Sequence, residues 1–219
     1  MAFDLVVFDV DGTLVQHPEN KTIWEVLNRR FTGDDGMNKE RLAAYKAGRL
    51  SYAEWVTLDV SGWRDAGATR EQMVAAMDCL TLIPGTREAL AALKESGARL
   101  VVISGTLDLL LDTLLPDPTF DEVYCNRIQF DDGGRILAWS ATPFDMSGKA
   151  VALKAVAMRE RVDLSRTAFV GDSSNDLWIA REAGFTVALN PKTAEFEEVA
   201  DAIVRSRDLR DVLPHLLDR

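Results

Sequence analysis

The chain has 219 residues, of which 47% are hydrophobic and 27% charged, and its formal net charge is −10. This composition is typical of a globular protein with one sizeable core, and the acidic balance argues against a nucleic-acid surface, which needs concentrated Lys and Arg. No run approaches the roughly 20 apolar residues of a membrane span. The two cysteines, Cys79 and Cys125, have neither CxxC nor zinc spacing. We therefore expect a cytoplasmic protein that binds neither nucleic acid nor membrane.

The first predicted element is a strand over residues 5–8, LVVF, with Asp9 and Asp11 directly after it. A wholly apolar run of this kind is typical of a strand that is buried on both faces. Side chains two positions apart in an extended chain point the same way, so the two carboxylates should lie close together and repel. Without a cation, one acid would have a raised pKa or the arrangement would cost stability. The stretch therefore predicts a positive charge at the end of this strand.

The next part of the chain, residues 15–82, shows helical patterns and no convincing strand. We interpret it as an inserted all-α cap, with hinges at 14–18 and 81–85, on a core formed by residues 1–14 and 83–219. Because ligands bind at the carboxyl ends of strands in open α/β sheets, the insertion is placed to cover the two acids. The predicted helices are 22–31, 38–48, 51–63 and 69–80.

From residue 84 onward, helical and extended patterns alternate with short joins, which indicates an α/β fold with a mainly parallel sheet. The predicted strands are 99–104, 122–126, 167–172, 185–189 and 201–204, with a hairpin at 127–139. The predicted helices are 86–97, 107–115, 148–162, 175–184 and a last one from Asp208.

Polar clusters follow predicted strands or begin predicted helices at 9–13, 104–106, 148–149 and 171–176. Carboxyl ends of parallel strands share one edge of the sheet, so these clusters can converge. Asp172 follows the apolar run AFVG just as Asp9 follows LVVF, which brings a third acid to that edge. Three acids suit a hard cation such as Mg2+, which is usually held by one or two carboxylates, water and substrate phosphate.

Small residues around the acids indicate a phosphate site, because hydroxyls and unobstructed backbone N–H groups bind anionic oxygens. They are Gly12, Thr13, Ser104, Gly105 and Thr106. Lys149 adds a cation, and the whole set provides what phosphoryl transfer requires. The P-loop pattern GxxxxGK(S/T) is unmet, so the lysine does not indicate an NTPase.

Each cluster taken alone also fits an ordinary structural role. Asp11 and Gly12 could form a turn, Ser104 and Asp172 could cap helices, and Lys149 could be a solvated residue of a first helical turn. Their joint occurrence in order, each at a strand end or a helix start, favours a shared site.

The segments DVDGT, SGT and GDSSND, together with Lys149, match in order and spacing the four motifs of the haloacid dehalogenase (HAD) superfamily. The chain resembles that superfamily over nearly the whole predicted core, and residues 15–82 resemble its helical cap of the first type. GRLSYAEW, CNRIQFDDGGRI and RDLRDVL are similar to phosphoserine phosphatases. The resemblance implies a Rossmann-like core, Mg2+ as cofactor, and hydrolysis of a small phosphorylated metabolite through an aspartyl-phosphate.

The resemblance also implies roles for single residues. Asp9 would be the nucleophile, and Asp11 would protonate the leaving oxygen and then activate water. Mg2+ would be held by the Asp9 carboxylate, the Asp11 backbone carbonyl and Asp172, with Asp176 orienting these ligands. The phosphoryl group and substrate would be bound by Gly12, Thr13, Ser104, Gly105, Lys149 and Asn175. Transfer of the phosphoryl group to an acceptor alcohol, and a HAD-fold binding protein without turnover, are the alternatives.

The cap departs from phosphoserine phosphatases at two positions. Asp59 stands where those enzymes carry an Arg for the substrate carboxylate, and Pro18 falls where they carry a Glu for the amine. Asp59 could pair with a cap arginine, either Arg41, Arg49 or Arg64, or contact an amine or hydroxyl of the substrate. An aromatic stripe, Trp24, Tyr52, Trp55 and Trp63, could be either packing between cap helices or a stacking pocket.

Overall fold

The computed structural model describes residues 3–34, 36–117 and 119–217. Its main sheet contains β1 Leu5–Phe8, β4 Arg99–Leu107, β5 Glu122–Phe130, β6 Ile136–Ser140, β7 Thr167–Gly171, β8 Phe185–Leu189 and β9 Ala202–Val204. The strand order is β6-β5-β4-β1-β7-β8-β9. All neighbours pair in parallel except β5 and β6. The predicted α/β fold with a mainly parallel sheet is confirmed.

Helices cover both faces of this sheet, and the central strand β1 shows why. Its four residues are all buried, and their side chains alternate between two apolar layers, with Val6 and Phe8 in one and Leu5 and Val7 in the other. The core helices are α5 Thr86–Glu95, α6 Asp108–Leu114, α7 Gly148–Glu160, α8 Leu177–Ala180, α9 Ala194–Val199 and α10 Leu213–Leu217. None of the described helices is long and apolar enough to cross a membrane.

Four further helices lie between the first and second core segments: α1 Ile23–Thr32, α2 Met37–Lys46, α3 Tyr52–Asp65 and α4 Arg70–Ala76. Capping boxes start α1, through Thr22 and Glu25, and α3, through Ser51 and Glu54. Trp63 is fully buried between these helices, and its indole Nε1 donates a 2.8 Å hydrogen bond to Asn28 Oδ1. The helical character predicted for this stretch is therefore present in the structure.

The prediction of no strand between residues 15 and 82 is wrong at both ends of that stretch. β2 Val15–Gln16 pairs antiparallel with β3 Thr81–Leu82, so the chain leaves and re-enters the core along a narrow ribbon. Two residues on each side are too few to produce an alternating pattern that could be read from sequence.

Other predicted elements differ in length. Residues 175–184 do not form one helix, because a 3-10 turn at Ser174–Asp176 precedes the short α8. Asp176 causes this tight start, since its carboxylate accepts hydrogen bonds from backbone N–H groups of the same loop. The helix predicted from Asp208 begins with a 3-10 turn at Leu209–Val212, and α9 was not predicted.

Candidate active site

A buried lysine joins two of the predicted acids. Lys149 lies in the first turn of α7 with no exposed surface, and its Nζ is 2.6 Å from Asp9 Oδ1 and 2.6 Å from Asp176 Oδ1. Burial alone would lower the pKa of Lys149, but the charges of Asp176 and Asp9 hold it above its ordinary value. Lys149 is therefore an ammonium, and it supplies the positive charge that the acids after β1 require.

Asp176 fixes the loop after β7 as well as the lysine. Its Oδ2 accepts hydrogen bonds from the backbone N–H of Asp172 at 3.0 Å and of Ser173 at 3.3 Å. Burial raises the pKa of Asp176 to about 6, and the nearby Lys149 ammonium opposes that rise. Because β7 pairs in parallel with β1, this loop stands beside Asp9.

Three carboxylates meet at this edge of the sheet. One oxygen from each of Asp9, Asp172 and Asp176 lies within 4.8 Å of the others, and all three residues are buried. Lys192 Nζ lies 2.6 Å from Asp172 Oδ2, yet burial still raises the pKa of Asp172 to about 7. Carboxylate oxygens grouped in this way, with incomplete charge compensation, fit a hard divalent cation such as Mg2+.

Asp11 lies near Asp9 but has different surroundings. Its Oδ1 accepts a 3.0 Å hydrogen bond from the backbone N–H of Ile23, the first residue of α1. Burial raises the pKa of Asp11 to about 6; the hydrogen bond from Ile23 opposes this rise and the charge of Asp9 adds to it. A carboxyl group that titrates close to neutral pH can both donate and accept a proton during a reaction.

Small residues bring backbone close to these acids. Gly12 has φ +91°, and a Cβ there would lie 1.9 Å from Asp172 Oδ2, so no other residue fits without displacing the acid. Thr13 is fully buried, and its Oγ1 has no hydrogen-bond partner within the described structure. Ser104 is also buried, and its Oγ accepts a 3.2 Å hydrogen bond from the backbone N–H of Thr106.

Gly105 and Asn175 line a cavity of about 600 Å³ between the core and the helices of the inserted segment. The carbonyl oxygen of Gly105 accepts hydrogen bonds from Trp24 Nε1 at 2.8 Å and from Asn126 Nδ2 at 2.7 Å. Asn175 Oδ1 accepts a 2.6 Å hydrogen bond from the Ser173 hydroxyl. All the residues predicted for the site thus lie at one edge of the sheet.

Comparison with known proteins agrees with this arrangement. The model of one protein family, described as haloacid dehalogenase-like hydrolase, matches residues 6–181 of the chain. The chain belongs to this family. The HAD membership expected from the four motifs is therefore confirmed.

Relatives place the hydrolase among phosphoserine phosphatase-like members of its family. It is 34% identical over 212 residues to phosphoserine phosphatase SerB2 of Mycobacterium tuberculosis, covering 95% of this chain and 49% of that protein. It is 28% identical to phosphoserine phosphatase of Methanocaldococcus jannaschii, covering 97% of each chain. A structure of a phospho-aspartyl intermediate analogue of phosphoserine phosphatase is similar with a TM-score of 0.77 and 26% identity, over 99% of this chain and 100% of that one. The hydrolase therefore spans about half of the first relative and nearly all of the second.

The cavity of the hydrolase has an aromatic wall. From the sequence, the stripe of Trp24, Tyr52, Trp55 and Trp63 could be packing or a pocket, and the structure divides it. Trp24, Tyr52 and Trp55 line the cavity. Trp63 lies in the interior of the inserted segment, 5.3 Å from Trp24 between ring centroids. The stripe therefore serves both as packing and as a cavity wall.

Asp59 does not face the cavity of the hydrolase. It is buried on α3 and forms an ion pair with Arg41 of α2, whose side chain is 14% exposed. The structure thus favours the pairing explanation over a substrate contact, and among the three arginines considered it selects Arg41. Pro18 lies outside the cavity lining as well.

Sequence reasoning missed three features of the site in the hydrolase. Lys192 follows β8 as the other site residues follow their strands, so the rule of the shared sheet edge could have identified it. Asp145 stands in a loop four residues before Lys149 and lines the cavity, with no strand or motif to mark it. The hydrogen bond from Trp24 to Gly105 joins segments 81 residues apart, which no local pattern reveals.

Proposed function

We propose that the hydrolase is a Mg2+-dependent phosphatase that hydrolyses a small phosphomonoester through a phosphorylated Asp9. The observation that carries this proposal is the placement of two unlike carboxylates at one strand end. Asp9 is ion-paired with a buried Lys149, whereas Asp11 has a pKa raised to about 6. The carboxylate that pairs with Lys149 is suited to attack, and the other is suited to move a proton.

In the first step, an oxygen of Asp9 attacks phosphorus while the bond from phosphorus to the alcohol oxygen breaks. Protonated Asp11 donates its proton to that leaving oxygen. In the second step, ionised Asp11 takes a proton from water, which attacks the aspartyl-phosphate, and the bond to Asp9 breaks. Inorganic phosphate leaves, and both carboxyl groups return to their starting states.

Binding of the phosphoryl oxygens is assigned to the residues beside Asp9. Thr13 and Ser104 offer hydroxyls, Lys149 offers its ammonium, and Gly105 offers a backbone N–H with no side chain of its own to obstruct it. The N–H of Gly12 already donates to the carbonyl oxygen of Val15 at 2.7 Å, so Gly12 would contribute by letting the backbone lie against Asp172. The unpartnered Thr13 hydroxyl supports this assignment, because a buried polar atom needs a partner that substrate would provide. Asn175, on the cavity wall, would face the substrate.

The same geometry supports a Mg2+ site formed by the carboxylates of Asp9 and Asp172 with the backbone carbonyl of Asp11. When bound, Mg2+ would neutralise charge on the phosphoryl oxygens. Asp176 would orient these ligands, because it holds both Lys149 and the N–H of Asp172.

We also propose that residues 1–14 and 83–219 form the catalytic core and that residues 15–82 form a cap which selects the substrate. The ribbon of β2 and β3, where the chain leaves the core and returns to it, supports this division. A reducing cytoplasm is the proposed compartment, since Cys79 and Cys125 are both free thiols.

The test is phosphate release from p-nitrophenyl phosphate and from phosphoserine, the substrate named for the relatives, with Mg2+ or with chelator. Wild type should release phosphate only with Mg2+, and Asp9→Asn should lower kcat by about 1,000-fold or more. Asp65→Asn, which removes an exposed carboxylate on α3, is the matched control and should keep full activity.

Mass spectrometry of acid-quenched wild type should find phosphate on Asp9. Activity that survives in Asp9→Asn or in chelator would overturn the proposal. Phosphorylated alcohol formed in place of inorganic phosphate, when glycerol is added, would instead indicate phosphotransfer.

A further inference from the structure

Five aromatic side chains line the cavity beside Gly105. Trp24, Tyr45, Tyr52 and Trp55 line it from the inserted segment, and Trp178 lines it from the core. Tyr45 and Tyr52 lie 6.3 Å and 6.2 Å from Trp55 between ring centroids, so three rings form a continuous wall. The faces of such rings carry negative potential and attract cations.

One carboxylate interrupts this wall. Asp145 lies against Gly105 of β4. A Cβ on Gly105 would be 2.3 Å from Asp145 Oδ2 and 3.1 Å from the Tyr52 hydroxyl. Asp145 Oδ1 is buried and has no hydrogen-bond partner within the described structure. Burial raises the pKa of Asp145, and the charge of Lys149 opposes that rise. The acid therefore lies beside Gly105 and close to the uncharged hydroxyl of Tyr52.

The neighbouring cations are engaged elsewhere. Lys149 Nζ is held by Asp9 and Asp176, and Lys192 Nζ is held by Asp172. Lys46 also lines the cavity, but it is exposed at the end of α2. Around Asp145 the cavity therefore offers aromatic rings and a carboxylate, a combination that attracts a positive charge and repels a negative one.

We infer that Asp145 is a specificity-determining residue and that the preferred substrates are phosphomonoesters of alcohols that carry an ammonium group. The ammonium would pair with the Asp145 carboxylate and pack against Tyr52 and Trp55. This inference rests on the proposed phosphatase function. The proposed contact at Asp145 is separate from Asp59 and Pro18. Those two residues stand at the positions where phosphoserine phosphatases contact the substrate carboxylate and amine, and both lie outside the cavity lining here.

Two substrates of the same shape test it. Choline phosphate and 3,3-dimethylbutyl phosphate differ in one atom, a charged nitrogen against a neutral carbon. Wild type should show a kcat/KM ratio of at least about tenfold in favour of choline phosphate. Asp145→Asn, which keeps the shape of the side chain, should bring this ratio close to one and should change kcat/KM for 3,3-dimethylbutyl phosphate by less than about twofold.

A binding measurement separates recognition from chemistry. In the Asp9→Asn background, calorimetry should show choline phosphate binding more tightly than its neutral isostere, and Asp145→Asn should abolish the difference. Lys154→Met is the matched control, since it changes an exposed charge outside the cavity lining, and it should leave the ratio unchanged.

Equal kcat/KM values for the two esters in wild type, or a ratio that Asp145→Asn leaves intact, would overturn the inference. Equal losses for both esters in Asp145→Asn would also overturn it, since they would indicate a structural role. If p-nitrophenyl phosphate is hydrolysed but choline phosphate is not preferred over 3,3-dimethylbutyl phosphate, the inference is wrong and the proposed phosphatase function is retained. Absence of Mg2+-dependent turnover on every ester would reject the proposed function itself.

Discussion

The indole Nε1 of Trp24 on α1 donates a 2.8 Å hydrogen bond to the carbonyl oxygen of Gly105 near the end of β4. The inserted segment is therefore connected directly to a residue of the candidate active site. The ring of Trp24 also packs on Trp63 in the interior of that segment. The interior of the inserted segment and the backbone at Gly105 are linked through this one side chain.

Trp24→Phe should keep the ring packing and lose the hydrogen bond. One such bond contributes about 1 kcal/mol, so KM should rise about fivefold while kcat changes less. Steady-state kinetics on p-nitrophenyl phosphate measure both values. Trp139→Phe is the control, because Trp139 Nε1 donates to Thr57 Oγ1 at 3.3 Å and so joins α3 to β6 away from the site. Equal KM values for Trp24→Phe and wild type would contradict the link.

Asp11→Asn should stabilise the metal-free protein at high pH. The pKa of Asp11 rises from 3.8 to about 6 on folding, so ionisation is more costly in the folded state. That cost is absent below pH 4, grows as the pH rises and is complete above pH 6, where it is of the order of 2–3 kcal/mol. Asparagine does not titrate and can still accept the hydrogen bond from Ile23.

Urea unfolding in chelator at pH 5 and pH 8 measures this effect. The stability advantage of Asp11→Asn over wild type should be larger at pH 8. An advantage that does not depend on pH, or one that grows as the pH falls, would show that burial does not raise the pKa of this acid. The same variant should lose phosphatase activity, so the site is stabilised by the change that disables it.

Asp59→Ala should destabilise the protein without changing its choice of substrate. The substitution leaves Arg41 without its partner in a largely buried place, which typically costs about 3–5 kcal/mol. Replacing both residues, as Arg41→Met with Asp59→Leu, should recover most of that loss. Thermal unfolding and relative kcat/KM values for phosphoserine and choline phosphate are the measurements. A changed substrate preference at unchanged stability would mean that Asp59 contacts the substrate.

Lys192→Met should increase the affinity for Mg2+. The ammonium of Lys192 lies 2.6 Å from Asp172 Oδ2 and so competes with any cation that this carboxylate binds. Removing the ammonium should tighten the dissociation constant by about tenfold, as measured by calorimetry with Mg2+ alone. Lys154→Met is a suitable control, because that exposed lysine pairs with Glu182 on the surface. Weaker binding of Mg2+ by Lys192→Met would show that the lysine supports the metal site.

The sequence was informative where chemistry follows a regular element. Asp9, Ser104 and Asp172 each end an apolar run, so the parallel sheet predicted from those runs also predicts that the three residues meet. Contacts between elements could not be predicted in this way. The pairing of Asp59 with Arg41 depends on how α2 and α3 pack, and the place of Asp145 depends on a loop without periodic structure.

The two-residue ribbon of β2 and β3 makes the inserted segment an exchangeable module. Val15 pairs with Leu82, and Gln16 pairs with Thr81, so the chain enters and leaves the core at neighbouring points. A segment of different length or architecture could be joined to those same two points without moving Asp9, Lys149 or the central strands. Evolution can therefore recruit this catalytic centre for a new metabolite by replacing one continuous stretch of gene, and protein engineers can do the same.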